Sequence, residues 1–307
     1  MARWCVALVV ASLGGCDGAD VAPDAPDYQE HCVPTAEPFG VLTGRLAIRS
    51  TLNVHVDAAG LIETDTTTHM LLAVDLTQQQ TQLTVAAQVC QIEIPAVPLA
   101  GQELPIEFEI PQAAIDSIGV VTAEATLSSP DQTCASFSSA PITMVVGARI
   151  DPGVIATAPL PTVDDMGMYA ACSPSAATAC AKATGSSCAC DQEGDTKPGV
   201  TVIAHNVPAL DLDEVYVTLR TTFSLTGQVW STDSIKGTID ASLETGVVGC
   251  TLEGEVACTV QNLRLVRALN PVITQQMANP SRFRTARVDP ASTCADIIAN
   301  QAVLFPR

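Results

Sequence analysis

Rings, lysines and histidines are scarce in this 307-residue chain. Aromatic residues make up 4%, only two are Trp, and Lys and Arg number 14 against 33 Asp and Glu. Each scarcity excludes something. Aromatic cages and carbohydrate platforms are built from rings, so both lose ground. A formal charge of −19 repels nucleic-acid phosphates and anionic lipids, which are gathered by the opposite sign; no nucleic-acid partner is expected. The four histidines, His31, His55, His69 and His205, are scattered, and no Gly-x-Ser-x-Gly elbow, His-Glu-x-x-His helix, P-loop or dinucleotide fingerprint occurs. Nucleophilic catalysis needs an activated residue beside a base, and none can be drawn here. The chain reads as noncatalytic, the alternative being an exported hydrolase whose site is assembled only by folding.

Long apolar runs are missing as well. The longest at the start, Trp4 to Leu13, follows Met1-Ala2-Arg3 and ends at Gly14-Gly15-Cys16. A spanning helix needs roughly 20 apolar residues, whereas a charged start, a core of about ten residues and a small-residue cut site make a signal peptide over residues 1–15. Leu13-Gly14-Gly15-Cys16 resembles the lipobox of bacterial prolipoproteins. That resemblance implies lipidation of Cys16, cleavage before it, and attachment to a membrane of the cell envelope by two or three acyl chains, since one chain alone holds weakly. Asp17, Asp20, Asp24, Asp27 and Glu30, with Pro23 and Pro26 and no Lys or Arg, follow as an acidic tether over residues 16–32. Such a composition cannot bury enough apolar surface to order itself, and its reach is at most roughly 50 Å.

Cysteine parity agrees with that address. Cys5 leaves with the signal and Cys16 takes lipid, so ten of the twelve cysteines remain, an even number that can pair completely. Four of them, Cys172, Cys180, Cys188 and Cys190, crowd one segment. Their spacing does not match the two close pairs of a zinc site, and an exported chain favours disulfides. Cys250 and Cys258 flank Glu253-Gly254-Glu255, a hairpin tip they would staple. Cys32, Cys90, Cys134 and Cys294 complete the disulfide candidates, with partners left open.

Period-two alternation dominates the rest. Leu46, Ile48, Leu52, Val54 and Val56 share one face of a first strand; Met70 to Leu76 mark a second. Leu83 to Ile94 make a third, with a phase slip near Val89 that predicts a bulge and hands the apolar phase to Cys90 and Ile92. Pro105 to Ile110, Val120 to Leu127 and Pro141 to Ile150 alternate in turn, with a short helix opened by Pro111. Further on, Val215 to Leu225 and Ile235 to Leu243 read as strands with one wet face, Leu263 to Leu269 continues outward from the hairpin, and Arg284 to Val288 is a last strand. Thr293 and Asp296 cap a terminal helix. Strands follow strands without helical crossovers, so the fold class is all-β. Antiparallel meanders form either two β-sandwich-like halves, residues 33–150 and 200–307, or one barrel built from both, around a Cys-rich connector at 151–199. A membrane-spanning barrel is disfavoured, because too few rings exist for aromatic girdles and a lipid anchor would be redundant.

One segment looks like a site. Asp191, Glu193 and Asp195 alternate and can aim carboxylates at a hard cation such as Ca²⁺, which takes six to eight oxygens. The bidentate Glu of a calcium loop is missing, however, and the alternative is a solvated acidic turn. The segment, with the lipobox and the Ser292-Thr293-Cys294-Ala295 ending, is similar to exported lipoproteins of myxobacterial type, in which the loop reads Asp-x-Asp-Gly-Asp-Gly-x-Pro-Gly; Glu193 and Thr196 depart from that pattern. The expected function is a noncatalytic envelope lipoprotein that either binds an apolar small ligand or acts as a structural or interaction module. No cofactor besides Ca²⁺ is suggested.

Overall fold

The computed structural model describes residues 32–35, 38–58, 62–96, 105–172, 187–207, 211–276 and 278–306. The signal segment, Cys16, the tether to His31 and Cys180 lie outside the described residues. In chain order the elements begin with β1 (Gly44–Ala58), β2 (Ile62–Gln79), β3 (Gln82–Glu93), β4 (Glu107–Glu109), α1 (Gln112–Asp116), β5 (Val121–Leu127), β6 (Ser136–Ser139), β7 (Ile142–Val146) and β8 (Ala148–Arg149). A 3₁₀ turn at Pro152–Val154 precedes β9 (Cys188–Ala189), β10 (Val200–His205), β11 (Leu212–Ser231), β12 (Ser234–Leu252), β13 (Val256–Ala257), α2 (Val260–Ala268), β14 (Val272–Gln275), β15 (Arg282–Arg287), α3 (Cys294–Ala299) and α4 (Gln301–Leu304). The protein is mostly antiparallel β.

Hydrogen bonding runs β12-β15-β1-β2-β3-β5-β6-β11, and β11 pairs again with β12, so eight strands return on themselves as a barrel-like ring. Each half supplies one continuous arc, β1-β2-β3-β5-β6 and β11-β12-β15, and the arcs meet at two seams, β1 with β15 and β6 with β11. Of the two architectures the alternation allowed, the pairing realises the barrel. Closure is uneven. The β1–β2 ladder covers fifteen residue pairs from Gly44 to Ala58, whereas β12–β15 and β6–β11 cover three pairs each. Where these ladders run short, hydroxyls take over the strand amides. Thr285 Oγ1 accepts from Ile235 N at 2.8 Å, Ser139 Oγ from Leu225 N at 2.9 Å, and Ser281 Oγ from Asn53 N at 3.0 Å. An unpaired buried amide costs about 1–3 kcal/mol, which is why Ser and Thr occupy buried places between apolar neighbours.

Inside the ring, alternate residues interdigitate: Leu46 and Ile48 of β1, Leu72 and Val74 of β2, Val85 and Val89 of β3, Phe137 of β6, Phe223 and Leu225 of β11, and Phe283 of β15. Phe137 and Phe283 meet across the interior with centroids 6.4 Å apart. Gly237 makes this fit possible, because a Cβ there would lie 2.1 Å from Thr226 O and 2.8 Å from the Phe283 ring. The predicted bulge is present, with β3 skipping Cys90 between Gln91 and Val89 opposite Leu71 and Leu72 of β2. Its consequence differs from the expectation: Ile92 packs on the barrel core, but Cys90 turns to the outer face.

That outer face is covered. Ala47 of β1 and Ala73 of β2, directly paired, leave a shallow floor on which Ile297 and Phe305 of the C-terminal segment pack with Leu71 and Cys90. The helix α3 opens on a capping box: Thr293 and Asp296 each bond the other's backbone amide, as the sequence predicts. A second outer face is covered as well. On β11, Tyr216, Thr218 and Arg220 were expected to be wet, yet they are 7%, 0% and 5% exposed, because the connector lies over them. A third difference lies at residues 263–269, which do not simply continue outward from the hairpin: Leu263 to Ala268 belong to α2 and Leu269 caps it. Thr259 caps that helix from Asn262 N, and Val266 is buried against β11 and β12.

Candidate functional site

The residues able to carry chemistry fall into separate groups. His55 on β1 faces Asp65 on β2, Nδ1 to Oδ1 at 2.9 Å, and reaches Glu63 at 3.8 Å; both carboxylates are well exposed. His69 lies beside Thr51, Nδ1 to Oγ1 at 3.4 Å, and His205 stands on β10 in register with Glu107. His31 is outside the described residues. Asp164 and Asp165 are occupied by a turn: Asp164 Oδ1 accepts from Met166 N and Met168 N, and Asp165 pairs with Arg267 at 2.5 Å.

The acidic loop bends back on its own backbone. Asp191 accepts from Gly194 N at 2.7 Å through Oδ1 and from Thr196 N at 2.9 Å through Oδ2. Asp195 accepts from Lys197 N through Oδ1 and from the Thr201 hydroxyl through Oδ2. Glu193 Oε1 accepts from Thr201 N at 2.7 Å, and only its buried Oε2 has no partner. One uncommitted oxygen falls far short of the set a Ca²⁺ ion needs, and among the described residues no group of three or more His, Cys, Asp or Glu is arranged to hold a metal. Gln192 ties the loop to the barrel by accepting from Gly147 N and donating to Ser117 O.

Next to the loop stands a cluster the sequence did not reveal. Lys197 Nζ meets Glu214 Oε2 at 2.5 Å and lies 5.4 Å from the centre of the Tyr216 ring. The Tyr216 and Thr251 hydroxyls donate to the same Glu214 oxygen at 2.9 and 3.2 Å. Burial pushes Glu214 up, but its hydrogen bonds from Lys197, Tyr216 and Thr251 together carry it below the ordinary carboxylate value. The bond to Glu214 raises Lys197, and burial raises the Tyr216 phenol. Glu193 moves the other way: burial lifts its carboxyl, the Asp195 charge adds to the rise, and Thr201 opposes it. A protonated Lys beside an ionised Glu leaves neither nucleophile nor general base free, so the cluster clamps the loop to β11 and β12.

The connector is held in a similar manner. Arg220 donates to the carbonyls of Ile155 at 3.2 Å and Ala158 at 2.5 Å and pairs with Glu244. Thr218 donates to Pro161 O, and Val163 N to Val247 O, both at 2.8 Å. Disulfides add Cys172–Cys188 within the connector, Cys250–Cys258 across the hairpin tip, Cys32–Cys134, and Cys90–Cys294 from the bulge to α3; Cys190 is disulfide-bonded as well. Several disulfides in one chain are the chemistry of an oxidising, extracytoplasmic compartment. Among the described residues no helix is long and apolar enough to cross a membrane.

Within the barrel, Ile48, Met70, Leu72, Val85, Ile142 and Phe223 are among the side chains around a gap of about 10 Å³. That is about the room of a single water molecule. No protein-family model matches the chain, and neither a curated protein nor a solved structure is similar to it.

Proposed function

We propose that this protein is a noncatalytic lipoprotein of the bacterial cell envelope, attached through acylated Cys16, and that its barrel is a solid interaction or structural module rather than a carrier. The observation that carries this reading is the filled interior. Sites for small molecules enclose about 300–1,000 Å³, some thirty times or more the gap of about 10 Å³ between the core side chains. Opening such a cavity would mean deleting several buried side chains, each worth about 2–5 kcal/mol of packing and transfer energy. The covered outer faces support the same reading, since they stiffen the wall.

Native mass spectrometry of protein purified from its own membrane tests this. The expected mass is that of the acylated chain alone; a stoichiometric apolar adduct surviving purification would favour the carrier. Hydrolytic activity that disappears in a His55→Gln or Asp65→Asn variant of unchanged stability would favour the enzyme.

A further inference from the structure

One stretch of β2 lacks a strand on its far side. β2 pairs with β1 from Ile62 to Leu76, but with β3 only from His69 onward. Continued in register, that second ladder would set Pro95 opposite Thr67, and proline has no N–H to give; β3 ends at Glu93 instead. Among the described residues no other strand pairs with Glu63 to Thr68 on that side.

The backbone groups left there can be named. Along an antiparallel strand, successive residues direct their N–H and C=O to opposite neighbours. Asn53 N donates to Ser281 Oγ and Asn53 O accepts from Gln276 N, both on the side of β14 and β15. Leu52 and Val54 therefore bond β2, at Thr68 and Thr66. Glu63, Asp65 and Thr67 turn their N–H and C=O outward, away from β1.

This edge has two unlike faces. On one, Glu63 and Asp65 have side chains 74% and 68% exposed, and among the described residues their ion partner is the His55 imidazole alone. On the other, Thr64, Thr66 and Thr68 stand beside Val56, Val54 and Leu52 of β1, with Ile273 of β14 next to Val56. Charge on an open edge is a common guard against unwanted pairing, and its sign decides what is kept away. Two acids repel a second copy of the same edge, and they repel the acidic residues between Asp17 and Glu30. A basic strand is attracted.

We infer that the Glu63–Thr67 edge of β2 is a docking site for an extended basic segment of a partner protein, added as a strand in the lane that β3 leaves. Alternate residues of that segment are Lys or Arg beside Glu63 and Asp65, and apolar beside Thr64 and Thr66. Main-chain bonds to residues 63, 65 and 67 supply affinity, and the alternating side chains supply choice. The inference gives the interaction module proposed above its partner and rests on that reading.

The test is amide exchange, resolved by NMR, of the chain from residue 16 carrying Cys16→Ser. The probes are the blocked peptide Lys-Val-Lys-Val-Lys-Val-Lys and its counterpart with Glu for Lys. The basic peptide should slow exchange at Glu63, Asp65 and Thr67, and the acidic one should not. A Glu63→Gln, Asp65→Asn variant should bind about 1.5-fold to fivefold more weakly for each charge removed. Asp65→Pro removes the central outward N–H and no bond to β1, so it should lose more than Asp65→Asn at an unchanged melting temperature. Unaltered exchange at the three amides would overturn the inference, whether the basic peptide binds elsewhere or not at all. Equal protection by the acidic peptide, or protection that survives Asp65→Pro, would overturn it too. Native mass spectrometry separates module from carrier independently, so failure here removes the partner and leaves the module.

Discussion

Two outer faces of the barrel are covered, and by opposite means. Over β1 to β3 the cover is dry: Ile297 and Phe305 pack on Ala47, Ala73 and Leu71, and the disulfide Cys90–Cys294 fixes the arrangement. Over β11 and β12 the cover is polar. There the connector's carbonyls are bound by Arg220 and Thr218, and the acidic loop by Lys197, Glu214 and Thr201. A dry face gains chiefly from area removed from water, and pH reaches it through the cap of α3, where the bonds from Thr293 hold Asp296 below the ordinary carboxylate value. A polar face must satisfy each group it buries, so its contribution varies with ionisation and with every partner lost.

The largest effect should come from opening the dry face. Its disulfide closes a loop across 204 residues, against 16 for Cys172–Cys188 in the connector. Chain-entropy arguments give about 5 kcal/mol for the first and about 3 kcal/mol for the second. A Cys90→Ser, Cys294→Ser variant should therefore lose more by denaturant titration than a Cys172→Ser, Cys188→Ser variant; equal losses would mean the C-terminal segment docks without its staple. Next is Arg220→Met, which keeps the bulk and strands the Ile155 and Ala158 carbonyls. A cost of about 2 kcal/mol is expected, with faster amide exchange confined to the connector.

The smallest effect is the most diagnostic, because it reverses sign between neighbours. Glu214 is held below its ordinary value, so its contribution is present above the unfolded-state pKa and is lost as pH falls through the folded one. Glu193 is held above its ordinary value, so the folded state favours its proton, and that advantage disappears as pH rises through the folded pKa. At pH 7, Glu214→Gln should destabilise by about 1 kcal/mol. Glu193→Gln should be neutral or stabilising, since its amide can donate toward Asp195. Melting curves between pH 4 and 8 (roughly the carboxylate range and above) should bring the two variants together on the acid side. Parallel curves would remove the polar account of this face.

The same contrast explains what was legible in the sequence. Leu46, Ile48, Leu72 and Val74 announce an inward face because every second residue is apolar, and the slip near Val89 announces a bulge. Thr293 and Asp296 announce a cap because both of its bonds are local. Tyr216, Thr218 and Arg220 could not announce burial: a polar side chain bonded to a connector carbonyl looks, in sequence, like one bonded to water. The approach of Lys197 to Glu214 depends on where the loop lands on β11. Cys90–Cys294 is opaque for the same reason, whereas Cys250 and Cys258 flank one tight turn. Uneven closure of the ring is hidden too, since Ser139 and Thr285 accept strand amides that any sheet neighbour might have taken.

Metabolic labelling with a radioactive fatty acid tests the cellular address from which the proposed role is drawn. Label retained by the wild-type chain through denaturing electrophoresis and missing from a Cys16→Ser variant is the predicted result. A wild-type chain that matures and folds without taking up label would contradict it.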